Sequence, residues 1–219
     1  MIGLVDTGIG NLRSLERAFA AAGAPVVRTA DRAVLARAER LVLPGVGAFG
    51  ACADALRADG HDALVLERIA AGVPVLGVCV GMQLLFEGSD ERPPPGQAAH
   101  RGLGVLPGRV ERFPATWRGA RLKVPHLGWN RVRAVRPHPV VGDRPEHVYF
   151  VHSYRAVPAE ASDVLAVADY AGETPAVVGR ANVLGVQFHP EKSSAGGLAL
   201  LRRFAAWEPA DPLPAPPRP

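Results

Sequence analysis

A cysteine and a histidine-carboxylate pair are the side chains of this sequence whose types and spacing best suit covalent chemistry. In Gly77-Val78-Cys79-Val80-Gly81, the cysteine lies between two glycines and directly follows the apolar run 73–78. Glycines two positions before and after a nucleophile are typical of a sharp strand-to-helix turn, which exposes the side chain at the carboxyl end of a strand. The N-terminus of the following helix would favour the reactive thiolate. Taken alone, the pattern also fits a buried cysteine in a glycine-lined turn.

The histidine and the carboxylate belong to the motif Gln187-Phe188-His189-Pro190-Glu191. A cysteine nucleophile needs a base, and the base needs a group that orients it. Pro190 pushes His189 toward extended backbone, in which residues two apart point to the same side, so Glu191 can hold the imidazole in one tautomer. The sequence therefore predicts a triad of Cys79, His189 and Glu191, although His-Pro-Glu by itself also fits an ordinary surface turn.

Alternating strands and helices in the first half of the chain would position the cysteine. Parallel strands need long crossovers, so this alternation predicts an open, mostly parallel sheet with helices on both faces. The expected strands are 2–5, 26–27, 40–43 and 73–78, the expected helices are near 12–22, 31–38, 51–58 and 61–71, and helical character continues from Met82 to Phe86.

The second half is rich in β patterns joined by short turns, so the fold class is α/β with an antiparallel β extension. The last two strands would form a hairpin that turns at Ala181-Asn182, and a helix from about 194 to 207 would follow. The expected strands are 104–105, 109–113, 131–135, 147–151, 164–168 and the hairpin 176–188.

The length of 219 residues is interpreted as one domain over 1–207, followed by a proline-rich tail, 208–219, that is predicted to be disordered. No stretch approaches the roughly 20 apolar residues of a membrane span. The acidic start of the chain is unlike a secretory signal, so a cytoplasmic location without membrane contact is expected.

Composition also argues against several kinds of site. The net charge is +4, but basic residues are scattered among acidic ones, which argues against a nucleic-acid partner. Histidines without ligand spacing and two isolated cysteines predict no metal, and no cofactor is expected. Cys52 lies in a small-residue helical stretch without a basic neighbour and is interpreted as a core residue.

The cysteine motif Gly77 to Gln83 and the histidine motif Gly185 to Glu191 together closely resemble the signature pair of class-I glutamine amidotransferases, whose fold is flavodoxin-like. Further stretches narrow the likeness to the glutaminase subunit of imidazole glycerol phosphate synthase, over about residues 2 to 207. These stretches are Asp6 to Leu12, Leu43 to Phe49, Gly102 to Gly104, Val124 to Asn130, Tyr149 to Tyr154 and Glu191 to Ser193.

This resemblance implies a reaction and a set of site residues. The Cys79 thiolate would attack the side-chain carboxamide of L-glutamine, and His189, oriented by Glu191, would protonate the leaving ammonia. The implied oxyanion and substrate-binding residues are Val46, Gly47, Val80, Gln83, Glu91, His152, Ser153 and Tyr154.

A partner is implied in the same way. It is a cyclase subunit, a (β/α)₈ barrel, which would form a heterodimer with this chain and receive the ammonia. The residues in motifs that resemble the docking face are Asn11, Trp129, Tyr149 and Lys192. For Trp129, a position in the core also fits the sequence.

Three other functions compete with this one. A glutaminase subunit for anthranilate or guanylate synthesis is disfavoured by the stretches Pro125 to Asn130 and Phe150 to Tyr154. A stand-alone cysteine peptidase or hydrolase would leave the His-Pro-Glu-Lys motif unexplained. A catalytically silent binding subunit is disfavoured by the intact set Cys79, His189 and Glu191.

Overall fold

The structure is a computed structural model that describes residues 1–93, 95–96, 99–143 and 146–213. Its helices are α1 Leu12–Ala21, α2 Arg32–Leu35, α3 Phe49–Ala58, α4 His61–Ala70, α5 Val80–Gln83 and α6 Ser194–Ala206, with 3₁₀ turns at Ala161–Asp163 and Pro190–Lys192. Its strands are β1 Ile2–Val5, β2 Val26–Thr29, β3 Arg40–Gly45, β4 Val75–Cys79, β5 Phe86–Ser89, β6 His100–Arg101, β7 Leu106–Arg112, β8 Thr116–Trp117, β9 Ala120–Arg121, β10 His126–Ala134, β11 Glu146–His152, β12 Tyr154–Pro158, β13 Val164–Asp169, β14 Glu173–Arg180 and β15 Val183–Val186.

A nine-stranded sheet forms the centre of the molecule, in the order β11-β10-β13-β14-β15-β4-β3-β1-β2. Strands β15, β4, β3, β1 and β2 pair in parallel, and the other pairs in the sheet are antiparallel. Strands β1, β3, β4 and β15 are buried along nearly their whole length, as expected for strands covered on both faces, whereas the edge strand β2 has no buried residue. The predicted α/β class with an antiparallel extension is therefore confirmed.

The segment after Cys79 differs from the prediction. Helix α5 is a single turn, and the chain from Phe86 enters strand β5, where the sequence suggested continued helix. The carbonyls of Leu84 and Leu85 accept hydrogen bonds from the N–H groups of Leu103 and Leu106, at 2.8 and 2.9 Å. These carbonyls would otherwise continue the helix, so pairing with residues far along the chain ends it.

A second sheet, in the order β12-β7-β5-β6, flanks the main one. Strand β12, which the sequence did not predict, pairs antiparallel with β7 and follows β11 after one residue. Strand β10 begins at His126, well before the predicted start at residue 131. Residues 104–105, predicted to be a strand, precede β7, which begins at Leu106. The Pro-His-Leu-Gly-Trp-Asn stretch therefore lies mostly within a strand.

Glycine allows β3, β4 and α5 to approach one another closely. A Cβ on Gly81 would lie 1.9 Å from the carbonyl oxygen of Leu43, and one on Gly77 would lie 2.6 Å from the carbonyl oxygen of Gly81. Contacts this short are not possible for a side-chain carbon, so the turn that follows β4 requires glycine at both positions. The predicted steric role of these glycines agrees with the structure.

The C-terminal helix α6 holds the segment that carries the histidine motif. A Cβ on Gly197 would lie 2.0 Å from the carbonyl oxygen of Pro190, so the first turn of α6 packs directly on the backbone next to His189. The hydroxyl of Ser193 donates to the His189 carbonyl at 2.6 Å and accepts from the Tyr149 N–H at 3.0 Å. These contacts join α6, β11 and the histidine motif.

The predicted disordered tail lies partly outside the described residues, which end at 213. Within the described part, Leu213 is buried, and its N–H donates to the Asn182 side-chain oxygen at 2.7 Å. This contact with the β14–β15 turn was not expected from the proline-rich sequence. The domain boundary at residue 207 stays a prediction. In the part of the chain that the structure covers, no helix is long and apolar enough to cross a membrane.

The two adjacent glycines of α6 provide a test of this packing. We expect Gly197→Ala to lower the free energy of unfolding by about 1–3 kcal/mol, because the new methyl group meets the backbone of Pro190. Gly196→Ala is the control: its Cβ would meet the flexible side chain of Glu146 at 3.0 Å, and alanine favours helix by up to about 1 kcal/mol over glycine. Urea denaturation measures both, and equal stabilities would contradict the assigned contact.

Candidate active site

Cys79 lies at the carboxyl end of β4 in a backbone conformation that side chains rarely adopt. Its φ is 56° and its ψ is −112°, and the residue is almost fully buried. A non-glycine residue in such a conformation costs about 1–3 kcal/mol, which the surrounding structure must offset. This conformation is that of a strand-to-helix elbow, as the sequence predicts. Because α5 has only four residues, few peptide dipoles align behind Cys79.

His189 and Glu191 are close together, as expected, but not for the predicted reason: only His189 is extended, whereas Pro190–Lys192 form a 3₁₀ turn. The ring Nδ1 of His189 lies 2.8 Å from Oε1 of Glu191, and both side chains are almost completely buried. The same carboxylate oxygen accepts a hydrogen bond from the side-chain amide of Asn11 at 3.2 Å. Backbone contacts fix the histidine as well, since its N–H donates to the Tyr149 carbonyl at 3.0 Å.

The pair carries opposite charges at neutral pH. Burial disfavours the charged ring of His189, but its hydrogen bonds and charge interactions with Cys79 and Glu191 outweigh this effect and raise its pKa to about 9. Burial acts to raise the pKa of Glu191, but the hydrogen bond and the charge of His189, together with Asn11, lower it overall. The geometry thus favours an imidazolium held by a carboxylate.

An open cleft of about 760 Å³ lies over the carboxyl ends of β3 and β4. Cys79 and His189 both line it, so the two motifs meet at one place. Its lining contains every substrate-binding residue that the sequence suggested, namely Val46, Gly47, Val80, Gln83, Glu91, His152, Ser153 and Tyr154, and also Asn11 and Lys192. Glu191 is not part of the lining and reaches the cleft through His189.

The loop between β3 and α3 contains Val46 and Gly47 and forms one wall of the cleft. The thiol of Cys52 donates to the Val46 carbonyl at 3.2 Å. Burial raises the pKa of Cys52 to about 11, so this thiol stays a neutral donor. Since C=O and N–H of a trans peptide point in opposite directions, the N–H of Gly47 points away from Cys52. At the other end of the loop, the Glu91 carboxylate accepts from the Phe49 N–H at 2.7 Å.

The cleft also has polar residues that the sequence reasoning missed. Arg92 and Arg112 line it and supply positive charge, and Pro125 and Val151 complete the wall on the side of β10 and β11. The arginines follow no motif, so only the tertiary structure reveals them. Gln187 belongs to the histidine motif, which predicted no role for it, yet its side-chain nitrogen lies 3.8 Å from the sulfur of Cys79.

The residues suggested for partner docking are distributed over the cleft and its rim. Trp129 is 54% exposed, which excludes the alternative core position. Its ring packs edge-on against Tyr149 with 6.0 Å between centroids, and the ammonium group of Lys192 lies 5.8 Å from the centre of the Tyr149 ring. Leu127, two residues before Trp129 in β10, is also exposed. Asn11 lies deeper and contacts Glu191.

Comparison with known proteins identifies the family of this chain. A family model described as glutamine amidotransferase class-I matches residues 3–206 of the chain. The chain belongs to the class-I glutamine amidotransferase family.

Among the described residues, no group of three or more histidine, cysteine or acidic side chains could hold a metal ion.

Several similar proteins bear the name imidazole glycerol phosphate synthase subunit HisH. This chain is 53% identical to the HisH subunit of Salinibacter ruber, and the match covers 94% of each chain. It is 48% identical to that of Geobacillus thermodenitrificans, covering 93% of this chain and 94% of the relative, and 48% identical to that of Syntrophotalea carbinolica, covering 93% and 98%.

Solved structures share the fold at low sequence identity. A glutamine amidotransferase crystal structure matches with a TM-score of 0.72 and 21% identity, covering 94% of this chain and 99% of that one. The PurLQS structure from Thermotoga maritima matches with a TM-score of 0.70 and 17% identity, covering 94% and 96%. These matches show that the amidotransferase has the architecture of these proteins.

The raised pKa of His189 gives a prediction for stability. Protonation of its ring stabilises the fold fully below about pH 6.5, the ordinary pKa of histidine, and this contribution is lost as the pH rises through about 9. We expect His189→Gln to remove roughly 2–3 kcal/mol of this pH-dependent stability. Urea unfolding at pH 6 and 9.5 tests it, with the exposed His147→Gln as control. An equally steep loss of stability in wild type and His189→Gln would contradict the charge assignment.

Proposed function

We propose that this chain is the glutaminase subunit of an imidazole glycerol phosphate synthase, which hydrolyses L-glutamine and passes ammonia to a cyclase subunit. The observation that carries the proposal is the buried hydrogen bond between His189 and Glu191 at the cleft that contains Cys79. Relatives that are 48–53% identical over nearly the whole chain bear the name of this subunit. A cytoplasmic location remains a prediction.

The proposed reaction begins from a thiolate–imidazolium pair, in which the proton of the Cys79 thiol already resides on the His189 ring, since the thiolate is the nucleophile. The sulfur attacks the carboxamide carbon of glutamine, and the electron pair of the C=O bond moves to oxygen. The His189 imidazolium then protonates the nitrogen, and ammonia leaves as the tetrahedral intermediate collapses to a γ-glutamyl thioester. Water, deprotonated by the same ring, hydrolyses the thioester and releases glutamate. Glu191 keeps the ring in the required tautomer.

The negative oxygen of the tetrahedral intermediate needs N–H donors. The N–H of Val80, the first residue after the nucleophile, is one candidate. The loop at Val46 and Gly47 offers the second, because the Val46 carbonyl is turned toward Cys52 and the Gly47 N–H therefore points the other way. The N-terminus of α3, held by Glu91, fixes the far end of this loop.

The cleft also suits the charged ends of glutamine. The Glu91 carboxylate suits the ammonium group, as the family resemblance implies. For the carboxylate group, Ser153 and Tyr154 lie in the wall, and Arg112 adds a positive charge beside them, with its guanidinium carbon 6.0 Å from the centre of the Tyr154 ring. Gln83 completes the pocket below Tyr154, since its amide donates to the Tyr154 carbonyl at 3.2 Å.

The cyclase subunit, a (β/α)₈ barrel, would dock on the exposed side chains beside the cleft. Leu127 and Trp129 are both more than half exposed, and Trp129 with Tyr149 forms an aromatic pair suited to an interface anchor. Lys192 lies over the Tyr149 ring and also lines the cleft, so docking there would close the route by which free ammonia escapes to water. Ammonia that reaches water is protonated and loses its nucleophilicity, which gives a closed route a chemical purpose.

Glutamate release from glutamine tests the assignment. We expect weak activity for the chain alone and strong stimulation by the cyclase subunit with its nucleotide ligand. Cys79→Ala should abolish activity, because no nucleophile remains, and His189→Ala should lower it by at least about a hundredfold. His147→Ala, an exposed histidine, is the control and should keep full activity. Cleavage of peptides or esters without stimulation by the cyclase would reject the assignment in favour of a stand-alone hydrolase.

The docking face gives a separate prediction. Trp129→Ala should weaken binding of the cyclase subunit by at least about 2 kcal/mol, roughly thirtyfold in Kd, because it removes a large exposed anchor. Trp117→Ala is the matched control, since Trp117 is also exposed but lies in the separate two-stranded sheet of β8 and β9, away from the Trp129–Tyr149 pair. Isothermal titration measures both. Equal affinities of the two variants would exclude Trp129 from the interface.

A further inference from the structure

Gln187 approaches the sulfur of Cys79 from within the protein core. Its side chain is fully buried just beyond the end of β15, and its amide nitrogen lies 3.8 Å from the sulfur. A buried amide N–H next to a thiolate makes a charge-assisted hydrogen bond, which is about twice as strong as one between neutral groups. The assigned triad makes no use of this amide.

The orientation of the Gln187 amide follows from the one acceptor that cannot reverse its role. The Tyr154 carbonyl can only accept, so Gln83 must turn its NH₂ group toward it, at 3.2 Å. The same nitrogen of Gln83 lies 3.0 Å from Oε1 of Gln187 and donates its second N–H to that oxygen as a hydrogen bond. The nitrogen of Gln187 is therefore the atom that faces Cys79, and a flipped amide would set two NH₂ groups against each other.

The Tyr154 carbonyl receives a second buried donor, which fixes it from the other side. Nδ1 of His152 lies 2.7 Å from this oxygen and must carry a proton. Nε2 of His152 then accepts from Nδ1 of His126 at 3.0 Å, and Nε2 of His126 accepts from the Asn130 amide at 3.1 Å. Burial lowers the pKa of His152 to about 3 and that of His126 to about 4, so both rings are neutral and the chain of donors has one direction.

We propose that Gln187 is a further catalytic residue, whose amide N–H stabilises the Cys79 thiolate. The inference deepens the proposed function, because it concerns the same nucleophile. The amide keeps both its protons. The thiol proton moves to His189, the sulfur carries the negative charge, and Gln187 donates a hydrogen bond to it. When sulfur forms its bond to carbon, the charge passes to the substrate oxygen and this hydrogen bond weakens. With α5 only one turn long, the Gln187 amide supplies stabilisation that a longer helix dipole would otherwise provide.

The pH profile of Cys79 alkylation tests the proposal in the full-length chain. Iodoacetamide reacts with the thiolate, and mass spectrometry separates Cys79 from the second thiol, Cys52. We expect Gln187→Met, which removes the N–H and keeps the chain length, to raise the midpoint of the profile by about one pH unit. Below the midpoint the rate should fall about threefold, because the loss of thiolate exceeds its gain in nucleophilicity.

Asn182→Leu is the matched control. Asn182 is another fully buried amide, at the opposite end of β15, and its nitrogen donates to the carbonyls of Ile69 and Val73 at 2.9 and 2.8 Å. We expect this variant to lose stability and to leave the Cys79 profile unchanged. A shift of the profile in Asn182→Leu as large as in Gln187→Met would overturn the proposal, because general loosening of the core would then explain both.

A second variant protects the test against misfolding of the first. Gln187→Glu has the same shape and still accepts from Gln83, but it turns an oxygen toward the sulfur, so the midpoint should rise at least as far as in Gln187→Met. An unshifted midpoint in either folded variant overturns the proposal. A shifted midpoint in a chain that hydrolyses no glutamine, even with the cyclase subunit, would leave the thiolate contact standing and reject the proposed function.

Discussion

The parallel pairing of β4 with β15 is the constraint on which the rest of the site depends. Leu76 lies opposite Leu184 and Val78 opposite Val186, so the residues that follow both strands emerge at the same edge of the sheet. One strand leads to Cys79 and the other to Gln187 and His189. Parallel strands with this register bring two distant parts of the sequence together without any loop having to reach across the fold.

The backbone around Cys79 shows what this arrangement costs and what offsets it. The positive φ of Cys79 is unfavourable by itself. Around it, however, Gly77, Gly81 and Gly45 allow backbone contacts too close for any side chain, and the four residues of α5 are all buried. The elbow is therefore held by close packing of main-chain atoms, which does not deform gradually. This packing fixes the position of the nucleophile at the edge of the cleft.

The sequence was informative wherever local stereochemistry decides the structure. The glycines around Cys79 and the proline after His189 restrict the backbone, so their spacing indicated the elbow and the His189–Glu191 pair, although each motif alone also fitted an ordinary turn. The parallel half of the sheet was also predictable, since buried strands alternate with helices. Strand β5 was not, because its formation depends on hydrogen bonds from residues 102–106, which compete with a continued helix.

The hydrogen-bond partners within the site could not be predicted from the sequence either, because they too depend on contacts between residues that are far apart in the chain. Gln187 stands two residues before His189, but only the orientation of Gln83 and the Tyr154 carbonyl shows that its nitrogen faces the sulfur. Cys52 was correctly predicted to be buried, yet its bond to the Val46 carbonyl depends on how the loop before α3 folds back. Tertiary structure sets such contacts, and no motif in the sequence encodes them.

Two histidines line the cleft beside Cys79, and their environments give them opposite roles. Burial lowers the pKa of His152 to about 3, and its Nδ1 proton is committed to the Tyr154 carbonyl. His189 is also buried, but its interactions with Cys79 and with the Glu191 carboxylate raise its pKa to about 9. The two shifts have opposite directions, so a proton leaving the thiol goes to His189 and not to His152. A carboxylate beside one ring and a carbonyl beside the other are sufficient to select which histidine acts as the base.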